Sequence, residues 1–115
     1  MISVKFLLAL SVTGLASAVF AEPSAEDIAA GKALVDDRMV GNGLACHHAP
    51  GAELAGTIGP PLISMKLRYP ERQALYDQIA DPRGRNPDTV MPPYGAHGAL
   101  TERELNLVVD YVHSL

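Results

Sequence analysis

The chain reads as all-α, three or four short helices joined by long loops, and three observations carry that expectation. Three stretches hold helix-start signals followed by apolar residues at helical spacing, whereas no run alternates with the period of two that a half-buried strand needs. Two long segments, 39–59 and 81–98, are rich in Gly, Ala and Pro and have no periodicity of their own. Finally, 115 residues allow one domain at most, and no repeat or low-complexity tract divides them.

Residues 1–21 stand apart. Lys5 is followed by Phe6-Leu7-Leu8-Ala9-Leu10 and an apolar run to Phe20, closing on Val19-Phe20-Ala21. This is the pattern of a secretory signal peptide, too short and wrongly flanked for a membrane span. The mature domain is therefore expected at about 22–115, exported and soluble after cleavage. Loss of Lys5 takes the formal charge from −4 to −5, a balance that argues against nucleic acid as a partner. Within that acidic chain Lys66, Arg68, Arg72, Arg83 and Arg85 crowd into twenty residues, either as a face for an acidic partner or as an ordinary solvated surface.

Ser24-Ala25-Glu26-Asp27 supplies an N-cap and first-turn acids for a helix through Ile28, Leu34 and Val35 to about Asp37. Gly31 sits in its middle at a cost of about 1 kcal/mol relative to Ala, which calls for a packing reason such as close approach of another helix. Gly59-Pro60-Pro61-Leu62 forms a stiff extended corner. Pro70 suits the first turn of a helix from Glu71 to about Ala80, with Leu75 and Ile79 on one face and Pro82 beyond its end. The irregular segment 81–98 is long for so small a domain, and such loops are usually functional. Thr101-x-x-Glu104 is a capping box, and Leu105, Val108, Val109 and Val112 fall on one face of the closing helix.

A mature chain without Trp or Phe has a thin core, and domains of this size commonly need a disulfide, metal or cofactor as supplement. With one cysteine there is no internal disulfide. That cysteine lies in Gly41-Asn42-Gly43-Leu44-Ala45-Cys46-His47, which resembles the c-type haem attachment motif C-x-x-C-H with Gly43 where the first Cys belongs. Cys46 can supply one thioether and His47 one axial ligand to iron. A six-coordinate electron carrier needs a second axial ligand, and Met91 is the candidate, because Asn86-Pro87-Asp88-Thr89-Val90-Met91-Pro92-Pro93 holds it in a proline-stiffened loop. Met39 and Met65 read as packing residues. The Pro60 carbonyl can accept the second ring N–H of His47, or the corner is simply a rigid turn. His48, His97 and His113 lack ligand spacing, no C-x-x-C pair exists for zinc, and neighbouring Cys and His seldom make a nucleophilic dyad.

Taken in order, the blocks Gly41 to His47 with Pro50-Gly51, Gly56-Thr57-Ile58-Gly59-Pro60-Pro61-Leu62, and Met65-Lys66-x-Arg68-Tyr69-Pro70 are similar to SoxX. This is the small cytochrome subunit of the SoxAX complex of periplasmic thiosulfate oxidation. The likeness continues through Asn86-Pro87-x-Thr89-Val90-Met91-Pro92-Pro93-x-Gly95 and the closing helix from Leu100, so that it covers nearly all of 22–115. The resemblance implies a class I cytochrome c fold, one haem c with His47 and Met91 as axial ligands and Pro60 supporting His47, and Gly31 packed against Tyr111. It also implies a SoxA-like partner that carries the thiosulfotransferase chemistry, with this chain passing electrons to a downstream cytochrome or other acceptor. Lys66, Arg68 and Tyr69 are candidates for the haem propionates. The family's first attachment cysteine is Gly43 here, which leaves a haem held by one thioether. The alternatives are a haem-free SoxA-binding subunit or a free-standing soluble cytochrome.

Overall fold

The computed structural model describes residues 21–115, with Gly14 an isolated position before them; the expected signal peptide otherwise lies outside the described residues. Four α-helices follow in order, α1 Ala25–Asp36, α2 Met65–Arg68, α3 Arg72–Ala80 and α4 Glu102–His113, with short 3-10 turns at Gly43–Ala45 and Pro82–Gly84. No strand occurs among the described residues. The chain is all-α.

α1 starts where Ser24 Oγ accepts the Asp27 N–H at 3.1 Å, and Glu26 and Asp27 lie against the positive end of the helix. Its most extensive partner is α4, and the two backbones nearly touch at Gly31. A Cβ there would stand 2.0 Å from the Leu107 carbonyl oxygen and 2.8 Å from Tyr111 Cβ. The glycine is therefore required by packing, and the expected contact with Tyr111 is present.

α4 carries the complete capping box. Glu104 N–H donates to Thr101 Oγ1 at 3.2 Å, and Thr101 N–H donates to Glu104 Oε2 at 2.8 Å. Leu105, Val108, Val109 and Val112 are all buried, with Val109 at 0 % exposure, and Tyr111 joins them on the side facing α1. α3 buries Leu75 and Ile79 as its spacing predicts. It begins one residue later than expected, at Arg72, so Pro70 precedes the N-cap Glu71 rather than entering the first turn. Arg72 then ties α3 to α4, donating through Nε to Asp110 Oδ1 at 2.6 Å and through Nη2 to the Asn106 carbonyl at 3.1 Å.

α2 has no counterpart in the sequence reading, because four residues between two prolines are too few to display a period. Ser64 enters it at φ 51°, and Met65 N–H donates to the Leu115 carbonyl at 2.8 Å, which fastens α2 to the end of the chain. Met65 is a core residue at 2 % exposure. Met39, read from sequence as packing, is instead 92 % exposed, in a tight turn where Asp37 Oδ1 accepts its N–H.

Candidate functional site

The loops between the helices border a cavity of ≈ 250 Å³, lined on the α4 and α1 side by Val108, Val112 and Val35. Its walls are mainly apolar, and four side chains that can bind a soft or borderline metal line it, Cys46, His47, Met65 and Met91, of which the Met65 sulfur already accepts from Arg68 Nη1 at 3.3 Å. The sequence reading expects Cys46, His47 and Met91 around one group, and all three border this cavity. The meeting arises because both irregular segments border the space that the helices leave open.

The Cys46 segment is built by backbone hydrogen bonds. After α1 the chain turns through Asn42 at φ 49°, and the 3-10 turn Gly43–Ala45 closes with His47 N–H on the Gly43 carbonyl at 2.9 Å. The following loop folds back on it: Gly56 N–H donates to Leu44 O at 2.8 Å, Gly59 N–H to Cys46 O at 2.8 Å and Leu62 N–H to His48 O at 2.7 Å. His47 is held twice. Its Nδ1–H donates to the Pro60 carbonyl at 2.7 Å, and a Cβ on Gly59 would stand 2.3 Å from the ring's Cε1. Of the two readings of the Gly-Pro corner, the acceptor role is realised. Nδ1 carries the proton in that bond, which leaves Nε2 as the lone-pair nitrogen.

Gly43 also lines the cavity, and a Cβ there would lie 2.8 Å from Val35 Cγ1. Val35, buried on α1, therefore fills the room that a side chain at 43 would need.

In the second irregular segment, whose part of the lining includes Met91, the Met91 N–H donates to Thr89 Oγ1 at 3.2 Å, which shapes the turn there. Two residues that sequence reading did not single out complete this part of the lining. Tyr94 donates its hydroxyl to the Gly41 carbonyl at 2.6 Å, joining the Met91 segment to the Cys46 segment, and burial pushes its phenol above the usual tyrosine range. Gln78, on α3, sets its Nε2 3.9 Å from Met91 Sδ. The only available signal for Gln78 was its place beside the apolar pair Leu75 and Ile79, where an amide is out of keeping with its neighbours.

The basic cluster is mostly engaged. Arg68 donates through Nη1 to the Pro61 carbonyl at 2.7 Å, so the corner that holds His47 is braced from both of its prolines. Arg83 pairs with Asp81, Arg72 with Asp110, and Arg85 stacks over the Tyr69 ring at 5.2 Å. Of the residues read as anionic-group candidates, Arg68 and Tyr69 line the cavity and Lys66 does not. His113 Nε2 donates to the Tyr69 carbonyl at 2.8 Å, a structural role, and His48 and His97 are exposed. No helix among the described residues is long and apolar enough to cross a membrane.

No known protein-family model matches the chain. It is 34% identical over 74 residues to a protein of Aquifex aeolicus (strain VF5) described as an uncharacterized lipoprotein. That match covers 64% of this chain and 36% of the relative, so the chain spans about a third of the relative's length.

Proposed function

We propose that this chain is an exported, single-haem c-type cytochrome of the SoxX kind, an electron-transfer subunit whose haem is held by one thioether from Cys46 and axially by His47 and Met91. One observation carries the reading: Cys46, His47 and Met91 border the same apolar cavity, with His47 Nδ1–H spent on the Pro60 carbonyl. A metal-bound histidine normally makes that second bond, and it leaves Nε2 free to donate its lone pair.

The cavity chemistry fits a porphyrin. Its walls supply Val35, Leu62, Ile79, Leu100, Val108 and Val112 for an apolar macrocycle, and burial of that kind is what the thin core lacks. An imidazole and a thioether are the ligand pair of high-potential cytochromes, and a class I cytochrome c-like arrangement accommodates them on facing loops. When bound, the haem supplies a one-electron couple. Everything else falls to the protein. Pro60 and Gly59 fix the imidazole plane, Thr89 shapes the Met91 turn, Tyr94 locks the two loops together, and the apolar walls exclude water. Arg68 and Tyr69 border the cavity where anionic propionates would need a cation and a hydroxyl.

The same reading gives the chain a SoxA-like partner in thiosulfate oxidation, with the bond-forming step on that partner, and a downstream cytochrome as acceptor. The apolar leader and the relative described as a lipoprotein both favour export. A second reading, a haem-free subunit that binds a SoxA-like partner, is favoured by Gly43 and by Val35 standing in the space of the missing attachment side chain.

Haem staining after denaturing electrophoresis of the exported protein, with a pyridine haemochrome spectrum, separates the two. A stained band and an α band between those of c-type and b-type haem are expected. Colourless, folded protein that still captures a SoxA-like subunit establishes the second reading and ends the first.

A further inference from the structure

The donors that border the main cavity are of one chemical kind. Cys46 offers a thiolate, His47 an imidazole and Met91 a thioether, and no carboxylate among the described residues lines the space. No group of three or more His, Cys, Asp or Glu comes together anywhere among the described residues, so neither a zinc cage nor an oxygen-rich site for a hard cation is built here. His47 is the fixed member. The Pro60 carbonyl accepts its Nδ1–H at 2.7 Å, and Nε2 keeps its lone pair. Cys46 is the chain's one cysteine and is free. With Gly43 in the motif no second thiol can close a disulfide on it, even in an oxidising compartment. Met65 is engaged by Arg68 at 3.3 Å, whereas Met91 Sδ meets a donor only at 3.9 Å, from Gln78 Nε2.

We infer that the haem-free chain binds one soft monovalent metal ion, of the Cu(I) class, in this cavity through the Cys46 thiolate, the Met91 thioether and His47 Nε2. Thiolate and thioether donors select Cu(I) over harder metals, and the apolar walls limit the access of water. On binding, the thiol gives its proton to solvent, and no electron changes hands. A haem held by one thioether would commit Cys46 to carbon and His47 and Met91 to iron, so the two ligands exclude each other. The inference concerns the chain without haem and stands apart from the haem reading above.

Full-length protein exported from cells that lack haem-attachment machinery is titrated anaerobically with Cu(I) against bicinchoninate, and copper X-ray absorption identifies the bound atoms. One equivalent is expected, with sulfur and nitrogen in the first shell. Cys46→Ser and Met91→Leu, both close in shape to the parent, should each weaken binding by more than about tenfold. A variant with His48→Ala and His97→Ala, both exposed in the parent, should bind as the parent does. Protein that stains for haem should take up no Cu(I) at this affinity. A chain that never stains yet binds one Cu(I) in this way ends the haem reading and leaves the metal site standing. The inference is overturned if the parent shows no one-to-one phase, if Cys46→Ser and Met91→Leu bind like the parent, or if haem-stained protein binds equally well. A haem-free chain whose far-ultraviolet circular dichroism shows no helix, with or without Cu(I), overturns it too.

Discussion

Gly31→Ala tests the packing on which the rest of the molecule is mounted. In an isolated helix the substitution is favourable by about 1 kcal/mol. Here the added carbon falls 2.0 Å from the Leu107 carbonyl oxygen and 2.8 Å from Tyr111 Cβ. Leu107 lies in the middle of α4, so its carbonyl cannot retreat alone, and ordinary contact requires the two helices to part by roughly 1 Å. Overpacking of this kind costs about 3 kcal/mol when backbone rather than side chain must move. The net loss is then about 2 kcal/mol from a total that, for a domain of this size, is about 5–10 kcal/mol. Urea denaturation should show a lower midpoint with an unchanged slope, and the melting temperature should fall by about 10 °C. Ala29→Gly, at an exposed position of the same helix, isolates helix propensity and should cost about 1 kcal/mol. A Gly31→Ala protein as stable as the parent would refute the close crossing of α1 and α4.

On the proposed haem reading, Gly43→Cys would supply a second attachment thiol at the cost of crowding Val35 Cγ1, 2.8 Å from the new Cβ. The haemochrome α band should move to that of a two-thioether haem, and Val35→Ala introduced alongside should recover the midpoint lost to crowding. Thr101→Ala removes the side-chain cap of α4 and should destabilise by about 1 kcal/mol, while Thr101→Ser, which keeps the acceptor, should cost little; denaturant midpoints report both. Tyr94 and Tyr111 have phenols raised by burial, so the folded state favours their neutral form. Stability is therefore level through neutral pH and falls as pH rises past the unfolded phenol's value, about 10. Tyr94→Phe should flatten part of that alkaline fall and, by losing the bond to the Gly41 carbonyl, lower the midpoint at neutral pH by about 1 kcal/mol.

Local chemistry explains what was legible beforehand. The Thr101–Glu104 box and the apolar residues at 105, 108, 109 and 112 state a helix and its buried face within twelve residues, and Ser24 with its acidic neighbours does the same for α1. Gly31 announced a close approach because glycine is otherwise unfavourable there. The pairing of His47 with Pro60 was also open to sequence reading, since a rigid Gly-Pro corner thirteen residues away offers an acceptor that cannot swing aside.

α2 was not legible, because four residues carry no period and its first N–H is satisfied by Leu115, fifty residues on. Met39 misled, since a methionine's burial depends on which side of a turn it leaves. Tyr94 and Gln78 acquire their roles only through partners on other segments, Gly41 and Met91. The amino-acid order alone determines where helices begin, which face of each is apolar, and which residue types are able to bind a metal. Only the folded chain decides that Cys46, His47 and Met91 share one cavity, because that depends on α1 and α4 crossing at Gly31 and so fixing the loops they carry.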